Sequence, residues 1–223
     1  MKLSQLAYNC VKGVKYLDDS SFTYEAFRRG DFDNDLDYSN SINNVFGALN
    51  RAVHRLSDLD KIPFKVAENI VPVDMVVDLS DLPIKAIQSV FVFVGDDYRR
   101  LDYREFGQGK IRLLGQFQPE KVNVEYSEDI KHFDSDDWKY ETELDQEQDL
   151  LVEEYDIDLK KDYGISDTMC SYIEEYVKGV LFEDVSPSLA NMHVTRAEQY
   201  FANLPDCQTT FHQTRVHAKF RIE

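Results

Sequence analysis

Apolar residues first recur at the helical interval. Leu3, Leu6, Ala7, Cys10, Val11, Val14 and Leu17 form one stripe and predict a helix over residues 2–17. A second stripe, Ile42, Val45, Phe46, Leu49, Val53 and Leu56, predicts a helix that starts near Ser39 or Ser41 and runs to about Leu59. Either serine can cap it. The period then shortens. Ile62, Phe64 and Val66 alternate, and "IVPVDMVVDL" and "IKAIQSVFVFV" are β-branched and aromatic. "GDD" at 95–97 reads as a hairpin turn into "YRRLDYREF", and "GQGKIRLLG" and "KVNVEYS" supply two more strands. Residues 61–127 therefore predict a meander of five or six short antiparallel strands.

The helical period returns after residue 158. Met169, Ile173, Tyr176, Val177 and Val180 predict a helix over 166–182. Another opens at "SPSL", with Ser186 as cap and Pro187 at the first helical position, and stops at Pro205. In the tail, Val216, Ala218, Phe220 and Ile222 alternate with His217, Lys219 and Arg221, which is a strand pattern. The expected fold is α+β: a bundle of about four helices from residues 1–60 and 159–205, with a β meander inserted at 61–127. An arm at 128–158 and a C-terminal strand at 206–223 complete it.

Charge changes this picture locally. The net charge is −17. Residues 18–37 carry seven acids and two bases, and residues 128–158 carry fourteen acids and two bases. The rest of the chain is balanced, so the excess resides in two segments. DNA-backbone affinity comes mainly from Lys and Arg displacing counterions, which makes a duplex-binding protein a poor expectation. The 43% apolar content excludes a disordered chain, and no apolar run reaches the 18 or so residues of a membrane span. The first residues lack a continuous apolar centre and a small-residue cleavage site, so no signal peptide is expected. Cys10, Cys170 and Cys207 are odd in number and widely spaced, which suits buried thiols.

The acidic segments invite a metal reading. Asp31, Asp33 and Asp35 match the start of an EF-hand loop, with Asp37 beyond them. Leu36 and Ile42 then stand where that loop requires Gly and a bidentate Glu. Asp134, Asp136 and Asp137 form a second cluster able at most to hold a divalent ion weakly. "GQGK" is not a phosphate loop, because it lacks the spacing and sits between strands. His54, beside Arg51 and Arg55, is expected at the surface, and no Cys–His pair has zinc spacing. No catalytic residue, cofactor or metal is assigned, and the expectation is a protein that is not an enzyme.

The apolar residues inside the acidic segments ask for another account. Phe22, Phe27 and Phe32, and Trp138, Tyr140 and Tyr155, are too apolar for a solvating linker. They either dock on a neighbouring subunit or cover their own domain's core. Phe211 and Phe220 of the tail are further contact candidates, since a strand can add to another sheet.

The arrangement resembles the head–tail connector (adaptor or ring) proteins of tailed bacteriophages. The resemblance is carried by "INNVFGALNRAVHRLSDL" running into "KIPFKV", then by "IKAIQSVFVFVGDDYRRLDYREF", "GKIRLLG" and "VNVEY". The segment "MCSYIEEYVKGVLFEDVSPSLANMHVTRAEQYFANL" completes it. The acidic arm departs from that pattern. The resemblance implies a virion component, assembled in the host cytoplasm, that forms a ring, often of twelve copies, beneath the portal protein. The ring joins the portal to tail or other connector proteins and leaves a channel through which genomic DNA passes without specific binding. No membrane contact is expected. Acidic segments facing the channel would repel phosphate, whereas outward arms would seek basic grooves on a neighbour. The rival expectations are an acidic DNA-mimic inhibitor and, behind it, a metal-dependent hydrolase.

Overall fold

A computed structural model describes residues 1–14, 20–32, 36–95, 97–107, 109–144 and 150–207. The chain is mixed α+β and divides into two compact units, residues 1–58 with 131–205, and residues 59–130 with the described residues 206 and 207.

The first unit is built on α1 (Leu3–Val14), α2 (Tyr24–Arg28), α3 (Leu36–Asp58), α4 (Leu159–Tyr163), α5 (Asp167–Phe182) and α6 (Pro187–Ala202). Helix α1 buries Leu3, Leu6, Ala7, Cys10 and Val11, the stripe its sequence sets. Helix α3 starts ahead of Ser39 and Ser41, so both lie inside it. Helix α5 is packed against α1, α3 and α6 and buries Met169, Cys170, Tyr172, Ile173 and Val177. Ser166 caps it, accepting a hydrogen bond from the Met169 amide at 3.3 Å. Gly179 lets α6 approach closely, since a Cβ there would stand 2.8 Å from Val194 Cγ2.

Two short helices escape a periodicity reading because neither spans two turns. Helix α2 is held by Thr23, whose side chain accepts from the Ala26 amide. Helix α4 runs from the Asp158 cap to Gly164 in the left-handed conformation, φ 71°. The chain's start is clipped beside it: Leu3 N–H donates to the Ile157 carbonyl, and Leu159 N–H to that of Met1.

The acidic arm expected at 128–158 contains two strands. After a 3-10 turn at Ser135–Asp137 the chain forms β8 (Trp138–Leu144) and β9 (Leu150–Asp156), an antiparallel ladder. The physical reason is composition: Tyr140, Thr142, Val152 and Tyr155 favour strands, and the acids at 141, 145, 149 and 153, each four apart, would repel one another in a helix.

The second unit holds β1 (Lys65–Ile70), β2 (Val76–Asp78), β3 (Ile84–Val94), β4 (Asp97–Arg100), β5 (Tyr103–Glu105), β6 (Lys110–Leu113) and β7 (Val122–Glu128). All pairings are antiparallel, but the strands do not follow one another as a meander. The orders are β1-β7-β3-β4 and β2-β6-β5. Side-chain alternation marks a strand without saying which strand it pairs with, and β7 returns to lie between β1 and β3. Val90, Val92, Val122 and Val124 of the larger sheet share a core with Val77, Ile111 and Leu113 of the smaller. Strand β7 is covered along nearly its whole length, so its polar residues are partnered inside. Glu125 accepts from Ser89 Oγ at 2.9 Å, and Asn123 Oδ1 accepts from the Asn69 amide at 2.8 Å, where β1 bulges and Asn69 is left-handed. The expected C-terminal strand, with Phe211 and Phe220, lies outside the described residues.

Candidate interaction surfaces

Phe22, Phe27 and Trp138 of the acidic segments are brought together in the first unit, and they face inward. Phe22, Phe27 and Trp138 are buried, joined by Tyr8, Tyr38 and Phe46. Ring centroids lie 5.5 Å apart for Tyr8–Phe22 and 5.4 Å for both Phe27–Trp138 and Phe46–Trp138, within the range of favourable aromatic pairs. Phe32 is half-buried against Phe22 at 5.0 Å. Phe22, Phe27 and Trp138 thus cover the core of their own unit, the second of the two accounts that the sequence left open. Removing that apolar area from water outweighs the solvation of the acids that flank it in sequence. Tyr140 and Tyr155 sit on β8 and β9.

The acids of these segments are divided. Asp31 is exposed and pairs with Arg29 at 2.9 Å. Asp33 and Asp35 lie outside the described residues, and Asp37 is in the first turn of α3. Asp134, Asp136 and Asp137 form a capped turn. The Asp134 side chain accepts from the Asp136 amide at 2.8 Å, and Asp137, buried, accepts from the Asp134 amide at 3.0 Å and from Lys131. Among the described residues no three His, Cys, Asp or Glu side chains gather as a metal site.

Cys10 and Cys170 are buried in the first unit, and burial pushes both thiols up, Cys170 to about 11. A thiol so protonated is a poor nucleophile. His54 is half-buried rather than exposed, its ring 4.7 Å from that of His132. The neighbouring Arg55 turns to Glu198 on α6, with contacts of 2.6 and 3.1 Å, and lies 4.6 Å over Phe201. That fork fastens α6 to α3.

Among the described residues both units leave large apolar side chains exposed. On α6, Leu189, Met192 and Tyr200 fall on one helical face and are exposed, with Val185 just ahead of them. Among described α6 residues, only Ala190 and Ala197 are fully buried.

The second surface is on the sheet-bearing unit. Ile111 and Leu113 point into its core, so Arg112 and Leu114 point out. The register sets Arg104 directly opposite Arg112, and Phe106 follows two residues later. Phe106 and Leu114 are each about half exposed, at 50% and 49%, and the Arg112 guanidinium lies 5.6 Å from the Phe106 ring centre. Arg104, Glu105, Phe106, Arg112 and Leu114 line a hollow of about 390 Å³. Leu114 also lines an adjoining hollow with Arg100 and Asp102. Sequence reading missed this face because its residues come from two short strands, and only the register shows that the arginines meet. No family model matches the chain, and no curated protein matches it.

Proposed function

We propose that this chain is a structural subunit that assembles with copies of itself into a ring, as in the head–tail connector of a tailed bacteriophage. The observation that carries the reading is that each unit leaves a different apolar surface open, the α6 stripe on one and the Arg104–Arg112 face on the other. A closed ring is made by heterologous contacts, which need two unlike surfaces on every subunit. In this reading the four longer helices, α1, α3, α5 and α6, form one bundle that serves as the rigid body of the subunit. The connector assignment itself rests on the resemblance in the order of elements. It supplies the portal and tail proteins as partners, the virion as location, and a genome channel that the acidic segments keep from adhering to DNA.

Mass measurement with electron microscopy tests it, on the purified chain alone and mixed with portal complexes. A ring of fixed copy number, free or seated on the portal, is the expected result. A chain that stays monomeric in both conditions overturns it.

A further inference from the structure

The outward face of the β5–β6 ladder carries an unusual pair. Like charges directly opposite on antiparallel strands repel and destabilise the ladder, yet Arg104 stands opposite Arg112 and both are exposed. Among the described residues neither has a carboxylate at ion-pair distance; Glu105 lines the same hollow without closing one. Flanking them, Phe106 and Leu114 hold apolar surface in water. The face is therefore suited to a partner that presents carboxylates two at a time with apolar groups beside them.

The chain itself contains such a partner. The register of β8–β9 sets Glu141 opposite Glu153, and the next pairs on the same face of the ladder are Glu143–Leu151 and Lys139–Tyr155. Residues 128–158 around this ladder carry fourteen acids against two bases. We propose that the Arg104–Arg112 face of one copy receives the acidic β8–β9 ladder of a second copy. Each register sets like charges directly opposite one another, and contact between the two ladders adds attractions that offset both repulsions. The two surfaces are unlike, so the contact runs head to tail and propagates to a ring or a filament. Duplex DNA is the other carrier of paired negative charge, but the −17 of the chain opposes its approach. The inference rests on the reading of this chain as a self-associating subunit, and not on the shape of the assembly.

Sedimentation of the full chain over rising concentration, at low and at high salt, provides the test. Two charge-reversed variants, R104E/R112E and E141K/E153K, each keep a like-charged pair, so neither ladder gains or loses internal repulsion; circular dichroism and melting check that both fold. Each variant alone is expected to associate about tenfold more weakly or worse, and an equimolar mixture of the two to recover wild-type association. Wild-type association should weaken with salt as the screening length falls from about 10 Å at 0.1 M to about 3 Å at 1 M. A wild-type chain that never associates, variants that associate as it does, or a mixture no stronger than its parts overturns the proposal. So does an R104E/R112E variant that loses only binding to duplex DNA. Swap-sensitive association that gives open chains keeps this contact and removes the ring; a ring indifferent to both reversals keeps the ring and removes this contact.

Discussion

The two units use the same residue types in opposite ways. In the helical unit, aromatic residues embedded in the most acidic segments are pulled inside, where Phe22, Phe27, Phe46 and Trp138 pack ring against ring. In the sheet-bearing unit, Phe93, Phe106 and Phe117 stay exposed although its net charge is smaller. The difference follows from element geometry. Short helices and turns can be swung over a core until their aromatic side is covered. An outward position in a two-layer sheet has no third layer to cover it, and alternation sends every second residue there. An acidic segment is thus no guide to where its aromatics go, and a neutral strand is no guarantee of burial.

The contrast is sharpest at Trp138. If it is core, Trp138→Ala should destabilise the helical unit by about 3–5 kcal/mol, seen as a lower denaturation midpoint. An unchanged midpoint with impaired association would instead return this residue to the role of subunit contact. Next in size is Gly179→Ala. The new Cβ meets Val194, and overpacking costs about 1–3 kcal/mol, against about 1 kcal/mol gained in helix propensity. A net loss in melting temperature is expected, recovered in part by adding Val194→Ala. No loss would mean that α5 and α6 are not in close contact there.

The sheet-bearing unit should respond in the other direction. Arg104→Glu alone places unlike charges opposite each other and should raise its stability by about 0.2–1 kcal/mol while weakening self-association. A variant that is both more stable and less associative would show that the arginine pair is kept for a partner rather than for the fold. The smallest effect is at Asp78, whose carboxyl is held down to about 2 by hydrogen bonds from Ser80 and Lys110. Because the folded state lowers this group's pKa from 3.8, its contribution is complete above that value and disappears as pH falls towards 2. Acid titration of Asp78→Asn should therefore show a shallower loss of stability between pH 4 and pH 2 than the wild type.

The long helices were legible because each has a dominant environment. Leu3 to Val11 on α1 and Met169 to Val177 on α5 repeat at the helical period and bury that side. Caps were less legible: Pro187 opens α6 as expected, but Ser186 before it makes no side-chain capping bond, and Ser39 and Ser41 lie inside α3. The β8–β9 ladder was not, because residues 128–158 are so acidic that their charge masks the strand-forming residues among them. The Arg104–Arg112 face was equally hidden: seven residues lie between the two arginines in sequence, and nothing in either strand names the other as its neighbour.

The sequence by itself determined where the long helices lie, where residues 61–127 are extended and where the charge lies, for these depend on residues a few positions apart. The tertiary structure alone decided which strands pair, which aromatics are covered and which arginines face each other. Those outcomes depend on residues distant along the chain competing for the same apolar surface, and no local pattern records who wins.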